Sequence, residues 1–371
     1  MSASTTTSAS SAHPVATPAW TWIAPVLAVM AGAIGEFVMH GEIAGWMAGV
    51  AVPVLFAAVF ATVHHAETIA HRIGQPFGSI VLALAVTIIE VALIVSVLLT
   101  APAGESAVAR DTVFAAIMIV LNGIVGLSLL IGGINHHIQN FRPASASGAL
   151  GVLGTLAVLC LVLPNYTLAT PGPTYAPVQL AFVAGISLLL YAMFLYIQLS
   201  RHKEDFLEAD GGDDHALPVD RAAFVKACAL LPLAMGGVVL LAETLATNVE
   251  YAIERAGLPA ALVGVAIAMV VLMPEGLASL RAARANRLQT SLNLALGSAL
   301  ASLCLTIPTV AIISLALGQD LVLGLDGELT VLLLLTLFMA ALSLATGRTT
   351  VLQGGIHLVI FAAFLILAAV P

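Results

Sequence analysis

Charged side chains are scarce in this chain. Aspartate, glutamate, lysine and arginine make up 9% of its 371 residues, whereas hydrophobic residues make up 60% and the mean hydropathy is +1.08. A soluble domain contains about 25% charged residues, which cover its surface. The composition therefore excludes a soluble globular fold. It predicts an all-α polytopic membrane protein whose partners are the lipid bilayer and small ions rather than nucleic acid.

Cysteine is almost as rare as charge. Cys160, Cys228 and Cys304 each lie in an apolar run, without Cys-x-x-Cys spacing or a histidine cluster. This pattern excludes a disulfide framework and a zinc site, so we expect three buried apolar cysteines and no cofactor. Residues 1–18 contain no lysine or arginine, which a signal peptide needs, and are predicted to form a disordered tail.

Long apolar runs, by contrast, fill most of the chain. A membrane-spanning helix needs about 20 apolar residues. Runs separated by proline, glycine or charge predict eleven such helices, at 20–38, 44–70, 77–100, 111–134, 148–164, 176–200, 222–247, 260–282, 290–317, 328–346 and 352–370.

Basic residues fall on one side of this predicted topology. If the eleven helices alternate in direction, ten of the 12 lysines and arginines lie on the side of the N-terminus, and only Arg110 and Arg255 lie on the other. Positively charged loops stay in the cytoplasm. We therefore expect an integral membrane protein with a cytoplasmic N-terminus and an external C-terminus. The acidic stretch 201–221 then becomes a cytoplasmic linker.

The chain also contains a weak internal repeat. The sequence Ala-Glu-Thr-Ile-Ala at 66–70 matches Ala-Glu-Thr-Leu-Ala at 242–246, and a Gly-x-Pro turn follows each. A helix with a central glutamate comes next in both halves. The repeats have five helices each, so they have opposite orientations in the membrane, as in many secondary transporters. The predicted units are a first helix at 19–43, repeats at 44–200 and 222–371, and the linker between them.

Two of the repeated glutamates, Glu90 and Glu275, lie near the middle of their helices. A buried carboxylate inside a membrane must bind a cation, take up a proton or pair with a base, and no lysine or arginine lies deep in a span. Two facing carboxylates are neutralised equally by one divalent cation or by two protons. This competition predicts a cation/proton antiporter without catalytic residues, in which Glu90 and Glu275 hold the transported metal ion.

Further polar residues are candidates for the same pathway. Oxygen ligands are expected to complete the cation shell, and helix packing is the alternative role for them. The repeated helix-end glutamates and a neighbouring histidine pair suggest gates or a proton path, with solvated helix ends as the alternative. The predicted ligands are Thr87, Asn122, Ser298 and Ser302, and the predicted gating or proton-path residues are Glu67, Glu243, His64 and His65.

These motifs resemble a known family. The segments His64–Glu67, Gly74–Ser79 and Ala85–Val91 look like the first signature of the cation/proton exchanger branch of the Ca²⁺/cation antiporter superfamily, and Pro274–Leu277 with Asn293–Ala299 looks like the second. The resemblance implies eleven helices, an acidic linker and one cation-binding glutamate per repeat, at Glu90 and Glu275. Many members have Gly-Asn-Ala-x before each acid, and this chain does not.

Other functions remain open at this stage. The resemblance implies a Ca²⁺/H⁺ antiporter, and the missing asparagines leave exchange of Na⁺ or K⁺ for H⁺ as the alternative. A membrane-embedded enzyme would need a deep nucleophile or a paired His/Asp metal motif, and the sequence has neither. A channel is also possible, but an inverted repeat with one acid per half fits alternating access better than a continuous pore.

Overall fold

A computed structural model describes residues 18–39, 43–74, 77–100, 107–201, 203–206, 219–259 and 261–370. Most of the predicted N-terminal tail, the Gln75-Pro76 part of the first turn and the greater part of the acidic linker lie outside these residues. Everything below concerns the described residues.

The described chain folds into eleven helices and no β-strand, which confirms the predicted all-α polytopic fold. Ten are long and apolar enough to cross a membrane, and Phe77–Thr100 is the eleventh. The helices are α1 (Trp20–Val38), α2 (Gly45–Ile73), α3 (Phe77–Thr100), α4 (Val108–His136), α5 (Pro143–Tyr166), α6 (Pro177–Arg201), α7 (Arg221–Arg255), α8 (Ala261–Arg284), α9 (Leu288–Leu317), α10 (Gly327–Ala345) and α11 (Val351–Ala369).

Two glycines follow the helices that begin the two predicted repeats. Gly74 (φ 80°) follows α2 and Gly257 (φ 69°) lies just beyond α7, and a positive φ stops a helix without steric strain. The end of α2 comes six residues after Glu67, whereas the end of α7 comes twelve residues after Glu243. In the second predicted repeat, α7 therefore continues for six more residues after its glutamate than α2 does.

Short π-helical turns interrupt several helices and are absent from the sequence prediction. One of them, Ile119–Ile124 in the middle of α4, contains Asn122. A π turn inserts one residue into the helix and rotates the side chains that follow. It therefore decides which way Asn122 points.

Loop contacts define the two ends of the bundle. At one end, Arg72 donates to the carbonyl of Val219, the backbone of Arg142 donates to Gln289, and Asn140 bridges to Arg348. We call this the arginine-rich end, because Arg72, Arg142, Arg201, Arg221, Arg281, Arg284, Arg287 and Arg348 lie there. At the opposite end, Arg110 donates to the carbonyl of Gly324 and lies 3.7 Å from the carboxylate of Asp326.

The buried apolar residues form two separate clusters. The smaller one joins α1, α2 and α7 to one face of α3 and α8, through residues such as Leu55, Leu93, Leu241 and Val271. The larger one contains the rest of the bundle. Helices α3 and α8 therefore lie at the boundary between two packed bodies, and they are the helices that carry Glu90 and Glu275.

Helix α1, outside the repeats, joins α2 to α7. Gly32 and Gly35 pack directly on the α7 residues Leu240 and Thr244, where a β-carbon would overlap. Small residues allow such close helix approach in membranes. On the α2 side, His65 Nε2 donates to the carbonyl oxygen of Thr21 over 2.9 Å. These contacts link the three helices into one unit.

Candidate cation site

Glu90 on α3 and Glu275 on α8 form the centre of the candidate site. Their exposed fractions are 3% and 6%, and the two carboxyl groups are close enough to interact electrostatically. The helices cross at the boundary of the two bodies, which brings together side chains 185 positions apart in the sequence. Two acids buried in one apolar region repel each other when both are ionised, so this pair needs a cation or protons.

Glu90 has a hydroxyl partner from the second repeat. The Oγ of Ser302 on α9 donates a short hydrogen bond to Glu90 Oε1. Ser298 lies one turn earlier on α9 and is also buried, so both hydroxyls belong to the same helix face. The predicted ligand Ser302 thus contacts Glu90 directly. Ser298 lies on the same face of α9, one turn closer to the arginine-rich end.

Glu275 has no such partner. Both of its carboxyl oxygens are buried and make no hydrogen bond to any described residue. A buried acceptor without a donor is costly, and a bound cation or a proton would lower that cost. Pro274 precedes Glu275 inside α8, and because proline has no N–H, the carbonyl of Val270 loses its helical hydrogen bond. The vicinity of Glu275 is therefore rich in unpaired oxygen acceptors.

The hydroxyl of Thr87 makes a hydrogen bond within its own helix. Thr87 Oγ1 donates to the carbonyl of Ala83 over 2.8 Å, and the side chain is buried three residues before Glu90. A hydroxyl that donates can still accept or coordinate through its remaining lone pairs. Its predicted role as a ligand stays a prediction.

The amide of Asn122 lies in a second buried polar cluster. Asn122 donates to Thr336 Oγ1 over 2.9 Å and its oxygen lies 3.0 Å from Nδ1 of His357, whose Nε2 lies 3.2 Å from Ser343 Oγ. Because the asparagine oxygen can only accept, His357 Nδ1 carries the proton and Ser343 donates to Nε2. The structure therefore joins Asn122 to α10 and α11 rather than to Glu90 or Glu275.

We expect Asn122→Ala to destabilise the protein without changing its choice of cation. The substitution leaves His357 and Thr336 without their partner, at a cost of about 1–3 kcal/mol. The measurements are the thermal unfolding midpoint in detergent and the apparent affinity of proteoliposomes for each transported cation. An unchanged midpoint with a large loss of affinity would instead make Asn122 a ligand, as the sequence alone predicts.

Two basic side chains act electrostatically on Glu67. Glu67 is exposed near the arginine-rich end of α2, and it interacts electrostatically with His71 and Arg281. It also acts on Glu275, one of the central pair. Glu67 therefore lies between the arginine-rich end of the bundle and the candidate site.

Glu243 corresponds to Glu67 in the sequence repeat, and it makes a hydrogen bond to another helix. Glu243 on α7 is partly buried, and Ser96 Oγ on α3 donates to its Oε1 over 2.5 Å. Ser96 comes six residues after Glu90, and Arg281 comes six residues after Glu275. Ser96, which contacts Glu243, and Arg281, which acts electrostatically on Glu67, thus occupy equivalent positions in the two predicted repeats. The six-residue spacing can be read from the sequence, but the sequence alone gives no reason to choose Ser96 or Arg281.

His64 and His65 lie against α1. The ring of His65 is buried and donates to Thr21, and the ring of His64 packs between Trp20 and His65, with centroids 6.0 and 5.6 Å away. These contacts fix α1 on α2. Their predicted part in gating or proton transfer stays a prediction.

The described residues contain no group of three or more histidine, cysteine, aspartate or glutamate side chains that could hold a metal ion.

The expectation of three buried cysteines is wrong for Cys228, which is exposed on the bundle surface, whereas Cys160 and Cys304 are buried.

Fold and site define a polytopic membrane protein with two interacting carboxyl groups buried between packed helices. The sodium/calcium exchanger protein family model matches residues 43–200 and 226–370, so the chain belongs to this family of transporters. The resemblance to cation/proton exchangers is confirmed.

Two relatives and one solved structure show the extent of the similarity. A putative ionic transporter, y4hA, of Sinorhizobium fredii is 49% identical over 95% of this chain and 97% of its own length. The sodium-potassium/proton antiporter ChaA of Escherichia coli is 35% identical over 84% of this chain and 85% of its own. The crystal structure of the Ca²⁺/H⁺ antiporter YfkE shares the fold, with a TM-score of 0.69 at 17% identity, covering 95% of this chain and 99% of that one.

Proposed function

We propose that this protein is a secondary antiporter that exchanges Ca²⁺ for H⁺ by alternating access. The observation that carries the proposal is the central pair of buried acids, in which both oxygens of Glu275 have no partner among the described residues. Membership of an exchanger family supports the same class of activity. Exchange requires one site that either cation or protons can neutralise, and the pair of Glu90 and Glu275 supplies it.

The mechanism follows from charge balance. One Ca²⁺ neutralises both glutamates, and so do two protons, so the site can cross the apolar interior in either loaded form. The empty form would carry two uncompensated charges through a medium of low polarity, which costs several kcal/mol. Slow movement of the empty form would prevent uncoupled leak. Ser302, Ser298, Thr87 and the Val270 carbonyl are the oxygens proposed to complete the shell.

A monovalent cation is the second candidate. The ChaA relative exchanges sodium and potassium for protons, according to its name. Ca²⁺ prefers six to eight oxygen ligands, and the site offers only two carboxylates with a few neutral oxygens. One Na⁺ or K⁺ with one proton would also neutralise the pair. The same residues would therefore serve a Na⁺/H⁺ or K⁺/H⁺ exchanger.

We also infer the arrangement in the membrane. The family model matches two segments that correspond to the proposed inverted repeats at 44–200 and 222–371, with α1 and the acidic linker outside them. The bias of arginines toward one end supports a cytoplasmic location of that end, with the N-terminus inside and the C-terminus outside. The bacterial relatives support an inner-membrane location.

Transport by the purified full-length protein in proteoliposomes tests the proposal. A pH-sensitive dye would report whether Ca²⁺, Na⁺ or K⁺ dissipates an imposed pH gradient. We expect Ca²⁺ to do so, with the other two cations weaker. Dissipation by Na⁺ or K⁺ but not by Ca²⁺ would select the monovalent alternative. If no cation dissipates the gradient, the protein is not a cation/proton exchanger.

A further inference from the structure

We propose that Ser279 and Ser291 form a proton relay between Glu275 and the arginine-rich end, separate from the path that the cation takes. The inference rests on the proposed cation/proton exchange and assigns a route to the proton. Its basis is a cluster of serine hydroxyls outside the central site. Three fully buried side chains from three helices meet there: Ser128 on α4, Ser279 on α8 and Ser291 on α9.

The hydroxyls of this serine cluster contact one another. Ser279 Oγ lies 2.8 Å from Ser291 Oγ and donates to the carbonyl oxygen of Ser291 over 2.9 Å. Ser128 Oγ lies 3.3 Å from Ser279 Oγ on the other side. A hydroxyl group both donates and accepts hydrogen bonds, and its proton rotates to suit its partners. The pair of Ser279 and Ser291 can therefore accept a proton at one end and release another at the other end.

Glu275 is the acceptor at the inner end of the relay. Ser279 follows Glu275 by about one helical turn, so the two side chains share a face of α8. Both carboxyl oxygens of Glu275 are buried and have no partner among the described residues. Rotation of this carboxyl group, or one water molecule held between it and Ser279, would complete the relay. The relay is interrupted at this step in the structure, and a step that closes only in some states limits proton leak.

Ser291 connects the relay to the arginine-rich end. It lies in the first turn of α9, and its backbone N–H donates to the carbonyl of Arg287, an exposed residue between α8 and α9. Ser298 and Ser302 follow on the same face of α9, seven and eleven residues further along. A line of buried hydroxyls thus runs along α9 from the arginine-rich end to Ser302, the donor to Glu90.

The transfer conserves protons at each serine. Ser291 takes up a proton from the arginine-rich end and gives its own to Ser279, which gives its own to a carboxylate oxygen of Glu275. The two serines are unchanged after the hydroxyl groups rotate back, and only Glu275 loses its charge. The reverse sequence releases the proton from Glu275.

The serine cluster suits a proton better than a metal ion. Its oxygens lie within hydrogen-bond distance of one another, whereas Ca²⁺ needs about six to eight oxygens around it, with carboxylates among them. The first predicted repeat lacks the same hydroxyl, because the residue four positions after Glu90 is Ile94, which is buried and apolar. The relay therefore serves the arginine-rich end alone.

Two transport assays in proteoliposomes separate proton movement from cation movement. Exchange of radioactive Ca²⁺ for unlabelled Ca²⁺ needs no proton, whereas dissipation of a pH gradient by Ca²⁺ does. We expect Ser279→Ala and Ser291→Ala in the full-length protein to slow the second process roughly tenfold and to leave the first unchanged, since water that enters the space can carry part of the proton flow. Ser279→Thr keeps the hydroxyl and should restore the second rate. If a monovalent ion drives exchange, radioactive Na⁺ or Rb⁺ replaces Ca²⁺.

Ser128→Ala is the matched control. Ser128 is as buried as the other two serines and contacts Ser279, but no step of the relay passes through it. We expect both transport rates of this variant to equal those of the wild type. If the hydroxyls only hold helices together, all three alanine variants will lower the thermal unfolding midpoint and affect both assays alike, which would overturn the relay and leave the exchange activity standing. If the wild-type protein moves no protons in exchange for a cation, the proposed function fails and the relay fails with it.

Discussion

Glutamine at position 275 is expected to abolish coupled exchange. Glu275→Gln removes one of the two charges that a cation needs and one of the two sites that a proton needs. Losing one partner of a buried charge pair costs about 2–5 kcal/mol, and each 1.4 kcal/mol is tenfold, so cation affinity should fall roughly 30-fold or more. Glu90→Gln should have the same effect, since the pair acts as a unit. The measurement is cation-driven dissipation of a pH gradient in proteoliposomes.

Glu250→Gln is the matched control for this result. Glu250 is on α7 and exposed, so the same chemical change there removes a charge that water can solvate. We expect exchange by Glu250→Gln at wild-type rates. Retention of exchange by both Glu90→Gln and Glu275→Gln, with the proteins correctly folded, would show that the site lies elsewhere.

The largest loss of stability is expected from a single methyl group at Gly354. In the crossing of α4 and α11, a β-carbon on Gly354 would lie 2.7 Å from the Cα of Leu130 and 2.8 Å from the carbonyl oxygen of Gly126. Backbone atoms cannot move aside as a flexible side chain does. Gly354→Ala should therefore force the helices apart and cost about 3 kcal/mol or more, because overpacked cores lose about 1–3 kcal/mol even where side chains adjust.

Gly355 provides the control, because the same glycine-to-alanine substitution is made at the next residue of α11. A β-carbon on Gly355 would meet nothing within 4 Å, so Gly355→Ala should unfold at the wild-type temperature or slightly above it. Thermal unfolding in detergent, followed by size-exclusion chromatography, would compare the two. Equal midpoints for both variants would mean that α4 and α11 are not packed as closely as described.

Several features were predictable because they depend on local chemistry. Membrane helices satisfy their own backbone hydrogen bonds, so an apolar run and a turn signal suffice to place them. The eleven predicted spans match the helices, and the glycine turn after α7 was expected from the Gly-x-Pro motif. The burial of Glu90 and Glu275 was predictable for the same reason, because a carboxylate deep in an apolar run needs an explanation wherever the helix packs.

Partner assignments were less predictable because they depend on helix rotation. Asn122 resembled a ligand in the sequence, but the π turn at 119–124 directs it to His357 and Thr336. Ser302 was one of several equivalent hydroxyls, and only the packing of α9 on α3 selects it as the donor to Glu90. A one-residue change in helix register rotates every later side chain by about 100°, and sequence periodicity does not resolve that.

The sequence by itself determined that the protein lies in a membrane, how many helices it has, and that Glu90 and Glu275 are carboxyl groups deep in apolar segments. Those conclusions follow from transfer energies of individual groups into a membrane, which do not depend on neighbours. The tertiary structure alone decided that Glu90 has a donor and Glu275 has none, that Ser96 meets Glu243, and that α1 joins α2 to α7. These are contacts between segments far apart in the chain, and only packing of whole helices brings them together.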